Sequence, residues 1–211
     1  MAGRRTARSC ADPTTAVGRH RVRDGSPSTH GCTPPPNCAE RARAEMVRRG
    51  LRAFGPASAE DIKWRFGITV TAVRQAVRDV DAVEVDLHGV PRYVLPDDVE
   101  PEPAAEPWTA LLPGLDVTTM GRLHRDWYLG EHRGQVFDRN GNAGPTAWSN
   151  GRIVGGWPQD ADGRVQLQLL EDPGRAARQD LRRRATQLTE WLAGIRIIPR
   201  FSSPLSKSGS G

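Results

Sequence analysis

Thr71, Arg74, Gln75 and Arg78 recur at i, i+3, i+4 and i+7 after Thr69, so a helix there puts all four on one face. Their types suit the major groove of a duplex: Arg for guanine or phosphate, Gln for adenine, Thr for the backbone. The plainer alternative is an amphipathic surface on which Arg74 and Arg78 are only solvated. Asp79, Asp81, Glu84 and Asp86 make the chain beyond them acidic. A second cluster, GRLHRDWYLGEHRGQVFDR from Gly121 to Arg139, interleaves Arg122, His124, Arg125, Arg133 and Arg139 with Trp127 and Tyr128. Cations alternating with aromatics suit a surface that follows phosphates and packs on sugars or exposed bases. The competing arrangement buries the aromatics and pairs the arginines with Asp126, Glu131 and Asp138.

Other chemistries find little support. His124, Asp126 and His132 match no metal-ligand spacing, and a His near an Asp is more often structural than a general base. No phosphate-binding Gly loop and no nucleophile elbow is present. Cys10, Cys32 and Cys38 lie with His20 and His30 near the N-terminus, but they form no Cys-x-x-Cys pair and Pro34-Pro35-Pro36 interrupts them. No metal and no cofactor is expected.

The elements that must position the basic residues are legible from periodicity. AERARAEMVRRGLRAF, Ala39–Phe54, has helical spacing of Ala42, Met46, Leu51 and Phe54, weakened by Gly50 and stopped by Gly55-Pro56. Ser58 is an N-cap for a short helix carrying Ala59, Ile62 and Phe66, which Gly67 ends. Thr69 caps a third helix with Val73, Ala76, Val77 and Val80 inward. Val83–Leu87 then alternates with period two, His88-Gly89 turns, and Arg92–Leu95 returns. Three helices and a hairpin spell a winged helix-turn-helix over 39–96, whose hairpin adds Arg92 to the candidate DNA contacts. An acidic, Pro-rich linker over 97–107 follows.

Residues 108–201 read as a small β-barrel-like domain with one long helix, giving an α+β protein. Its strand candidates are Trp108–Leu112, Trp127–Leu129, Thr146–Trp148, Arg152–Trp157, Val165–Leu170 and Ile195–Ile198, with a helix over about Pro173–Ala193. Asn140-Gly141 and Asn150-Gly151 are hairpin signals, because a type I′ turn needs positive φ at both central residues. The first lies in a loop that presents Arg139, Asn140 and Asn142, either toward a nucleic-acid backbone or merely as turn formers.

The net charge is +5, which looks like a nucleic-acid signature until it is divided. Residues 1–38 hold six Arg against two Asp, a balance of +4, so the remainder carries only +1. The argument for DNA therefore rests on where charges lie. Residues 1–38 lack hydrophobic periodicity and read as a disordered leader, and 202–211 as a disordered tail. No apolar run is long enough to span a membrane, and no secretory h-region precedes the helices, so the expected location is cytoplasmic.

AFGPASAEDIKWRFG (Ala53–Gly67), ALLPGLDVTTMG (Ala110–Gly121), DWYLG (Asp126–Gly130) and FDRNGNAGPTAWSNGRIVGGW (Phe137–Trp157) resemble a known family over about Ala39 to Phe201. It is the bacterial, chiefly actinobacterial, winged-helix family of DNA glycosylases that confer azinomycin resistance and unhook interstrand crosslinks. Members stack tandem winged helices and end in a β-barrel that helps clamp the duplex; this chain resembles the last winged helix and the barrel. The resemblance implies double-stranded DNA as partner. It also implies a catalytic Gln or His, an apolar residue, then Gln or Asp, in the first winged helix. Residues 1–38 hold no such triplet, and Gln166-Leu167-Gln168 lies far from the family's position and reads as two same-face strand residues. The resulting expectation is a DNA-binding protein without catalysis of its own. The rivals are a glycosylase for alkylated or crosslinked bases, a dimeric transcriptional regulator and a structural remnant that binds no DNA.

Overall fold

Ser58 and Thr69 act as their positions predict. In the computed structural model, which describes residues 37–87, 89–198 and 202–207, helix α1 runs over Cys38–Phe54, α2 over Ala59–Phe66 and α3 over Val70–Asp79. The Ser58 hydroxyl accepts from Asp61 N, and Asp61 returns the favour to Ser58 N, a complete capping box. Gly67 closes α2 in the left-handed conformation at φ 61°, and Thr69 Oγ1 accepts from Ala72 N at 3.2 Å. Gly50 does not interrupt α1; its lack of a side chain makes room for the Phe66 ring, since an added Cβ would lie only 2.5 Å from Cζ. Strands β1 (Val83–Leu87) and β2 (Val90–Val94) pair antiparallel, Val83 opposite Val94. His88 lies outside the described residues. Val47, Leu51, Ala57, Ile62, Val73, Ala76, Val77 and Leu95 form one core beneath these elements.

A second region is built on a four-stranded antiparallel sheet in sequence order: β3 (Thr109–Leu112), then helices α4 (Val117–Met120), α5 (Asp126–Leu129) and α6 (Arg133–Val136), then β4 (Thr146–Ser149), β5 (Arg152–Gly156) and β6 (Gln168–Leu169). The two Asn-Gly pairs serve different ends. Asn150 (φ 48°) and Gly151 (φ 81°) both take positive φ and join β4 to β5, the geometry the dipeptide predicts. At the other pair only Gly141 is left-handed, φ 80°, and the loop is closed by a single bridge, Phe137 to Ala143.

Helix α7 (Arg175–Leu192) buries Leu181, Ala185 and Leu192 against the sheet. Its Asp180 accepts from Thr109 Oγ1 at 2.6 Å, and Arg184 Nε donates to both Thr109 Oγ1 and Asp180 Oδ2 at 2.9 Å. These bonds fix α7 to β3. Together the two regions make an α+β protein with small antiparallel sheets.

Three expectations are corrected. Trp127–Leu129 is helical: Leu129 N donates to Arg125 O at 3.0 Å and Gly130 N to Asp126 O at 2.9 Å. Ile195–Ile198 is no strand, because a side chain takes the place of a partner: Gln159 Nε2 donates to Ile195 O at 2.9 Å and Ile197 N donates to Gln159 Oε1 at 2.8 Å. The stretch from Ser202, expected to be disordered, contains a helical turn, α8 (Pro204–Lys207), whose Leu205 is buried. The expected leader before Asn37, with Cys10, Cys32, His20 and His30, lies outside the described residues, whereas Cys38 opens α1.

Candidate nucleic-acid interface

Helix α3 has the predicted orientation. Val73, Ala76 and Val77 are buried, while Thr71, Arg74, Gln75 and Arg78 are exposed. The face is partly self-bonded: Gln75 Nε2 donates to Asp79 Oδ1 at 2.6 Å, and Arg78 Nη2 donates to Gln75 Oε1 at 2.8 Å. Arg74 and Arg78 border a shallow hollow completed by Val77, Asp81, Ala82 and Tyr93. Burial, and then the charge and hydrogen bond of Glu84, raise the Tyr93 phenol above its usual range, with Arg74 pulling the other way.

Three of the other candidate arginines turn inward. Arg92, Arg122 and Arg125 were expected at the surface as DNA contacts, and each is instead spent on the fold. Arg92 is buried and pairs with Asp61, Nη1 to Oδ2 at 2.5 Å. Arg122 donates from Nη1 to Pro56 O at 2.6 Å and from Nη2 to Phe54 O at 2.5 Å. Arg125, only 4% exposed, donates from Nε to Arg122 O at 2.5 Å. Desolvation lowers the pKa values of Arg122 and Arg125, which stay cationic because a guanidinium titrates far above neutrality.

The partner of Arg92 is Asp61, the capping-box residue of α2. It is fully buried and accepts five bonds. Ser58 N and Ser58 Oγ reach Oδ2 at 3.1 and 3.0 Å, beside Arg92. Leu123 N and His124 N reach Oδ1 at 2.8 and 3.2 Å. One carboxylate thus joins α2, β2 and the loop that leads into α5. Burial pushes its pKa up, but the donors from Ser58, His124 and Leu123 prevail and hold it below the ordinary value.

The Asp138 loop is closed from within. Asp138 Oδ1 accepts from Asn140 N at 2.7 Å and Asn142 N at 2.9 Å, and Oδ2 accepts from Asn142 Nδ2 at 3.1 Å. Asn142 is therefore a turn former, and the exposed side chains of this loop are Arg139 and Asn140. His132 Nε2 lies 3.5 Å from Glu171 Oε2, and among the described residues no group of His, Cys, Asp and Glu is arranged to hold a metal. None of the described helices is long and apolar enough to cross a membrane. Where the arginines turn in, two indoles turn out: Trp64 is 49% and Trp127 59% exposed. The mixed basic-aromatic composition hinted at this for Trp127, whereas Tyr128 and Arg125, read into the same surface, are buried.

A protein-family model described as "DNA glycosylase AlkZ-like" matches residues 1–191. The match thus takes in residues 1–38, which the resemblance had left aside. Among solved structures, the Streptomyces sahachiroi DNA glycosylase AlkZ is similar with a TM-score of 0.59 and 22% identity, over 72% of this chain and 44% of that one. The likeness is one of fold, and the chain spans less than half the length of that structure. No curated protein matches this chain.

Proposed function

The chain belongs to the AlkZ-like DNA glycosylase family, and from that premise we propose that it is a repair-associated protein that binds double-stranded DNA through a winged helix. In this reading α1–α3 and the β1–β2 hairpin are the winged helix-turn-helix, and α3 enters the major groove. The observation that carries it is the face of α3: four side chains able to contact bases and phosphates stand exposed above three buried apolar residues. Arg139 and Asn140 are backbone contacts from the sheet region, which is read as a barrel-like body lying beside the duplex.

The chain acts here as a binder without catalysis of its own. Cleaving an N-glycosidic bond needs a held water and stabilisation of positive charge developing on the sugar. The Gln-Leu-Gln of this sequence is a poor source of either, since Gln166 Nε2 is bound to Asp160 Oδ2 at 2.8 Å in a turn before β6. One observation favours a second reading, an active glycosylase for alkylated or crosslinked bases: the family match begins at residue 1.

One experiment addresses both. The full chain is titrated with a duplex carrying a bulky alkylated purine, and released base is measured in parallel. Salt-sensitive binding with no release above a buffer control is the expected result. Release of base establishes the second reading, and absence of binding at low salt overturns the first.

A further inference from the structure

We propose that Trp127, with Trp64 across the Gly121–Arg125 loop, is a stacking platform for an unpaired or unstacked base of DNA, an inference that rests on the DNA-binding reading. Trp108 and Trp191 are exposed as well, at 41% and 79%, but Trp64 and Trp127 are the two indoles with a guanidinium held against the ring. Helix α5 buries its next two residues, Tyr128 and Leu129, at 1% and 0% exposure, yet leaves Trp127 at 59%. Leu123, 41% exposed, extends the same apolar surface. The last residue of α4 binds one ring just before the loop, Trp64 Nε1 donating to Met120 O at 2.9 Å, and the loop's end leads directly into the other.

Both rings are held for stacking. The Arg122 guanidinium lies 5.4 Å from the Trp127 ring centre, and Arg125 lies 5.6 Å from that of Trp64. Tyr128 meets Trp127 edge-on at 5.0 Å. Arg122 is itself fixed by two carbonyls, so the Trp127 platform loses little freedom when a ligand packs on it.

Charge decides what kind of ligand. Arg65 donates from Nε to Gly121 O at 3.0 Å and, with Arg92, Arg122 and Arg125, makes four guanidiniums that interact with the buried carboxylate of Asp61. Exposed Asp126 offsets part of this excess. The remainder gives a positive field beside two aromatic faces, the combination that binds single-stranded nucleic acid without sequence preference.

The test compares an intact duplex with the same duplex carrying a short single-stranded gap, by fluorescence anisotropy, using the full chain and its Trp127→Ala, Trp127→Phe and Arg74→Ala/Arg78→Ala variants. The wild type is expected to prefer the gapped DNA. Trp127→Ala should lose about tenfold on gapped DNA and stay within about twofold on intact duplex, with Trp127→Phe recovering most of the loss. Equal effects on both DNAs, no effect, or no gap preference in the wild type overturns the proposal. So does a self-associating wild type made monomeric by Trp127→Ala with its DNA affinities unchanged. Gap binding without intact-duplex binding sinks the winged-helix reading alone. Intact-duplex binding lost in the double Arg variant, with gapped binding indifferent to Trp127, sinks the platform alone.

Discussion

Asp61→Ala is expected to destabilise the fold by about 3–5 kcal/mol, the range for breaking a buried ion pair from one side. The large figure follows from what is left behind. Arg92 would keep a buried guanidinium with no counter-charge, and its Nε already lacks a partner. The amides of Leu123 and His124 would lose their acceptor, at about 1–3 kcal/mol for each buried group left unsatisfied. Asn at this position keeps an acceptor oxygen and most of the volume, so it should be milder than Ala. Denaturant midpoints of the two variants against wild type measure both effects, and an Asp61→Ala loss under about 1 kcal/mol would contradict the geometry.

The same residue sets an acid limit. Its folded pKa lies below the unfolded value of about 3.9, so its contribution is complete above that pH and disappears as pH falls through the folded value. Stability should therefore drop in acid below about pH 4, and the acid limb should flatten in Asp61→Asn, whose side chain does not titrate.

Arg74→Ala/Arg78→Ala is expected to weaken duplex binding more than any other pair of surface substitutions. If both guanidiniums lie on phosphates, the slope of log affinity against log salt should shallow by about two, one for each lost contact. A guanidinium bidentate on guanine would add about 1–3 kcal/mol of base discrimination. The bonds Arg78–Gln75 and Gln75–Asp79 do not prevent this. They are exposed pairs three and four residues apart on one helix, each worth about 0.2–0.5 kcal/mol, and a phosphate or base edge displaces them readily. Binding and salt slope unchanged in the double variant would leave α3 as packing alone.

The sequence was legible where a signal is local. Ser58, Gly67 and Thr69 announce helix ends within a few residues, the valines of α3 give its buried face, and Asn150-Gly151 dictates its own turn. It misled where four residues had to stand for a pattern: Asp126–Leu129 is too short to show a period, so its aromatics suggested a strand. It was silent where partners are distant in the chain. Asp61 meets Arg92 thirty-one positions on and Leu123 sixty-two positions on, and nothing in DIKW distinguishes a hub from an ordinary capping residue. For the same reason Arg92 and Arg122 looked like surface cations. The carbonyls that hold Arg122, those of Phe54 and Pro56, reach it only once the two regions have packed.

Leu123 and His124 belong to no helix or strand, yet both their amides end on the oxygen of a carboxylate that water does not reach. Deuterium can enter at those two positions only when the seam between α2 and the loop comes apart. This irregular stretch, by its looks among the first to loosen, is thereby bound to open with the buried end of α2.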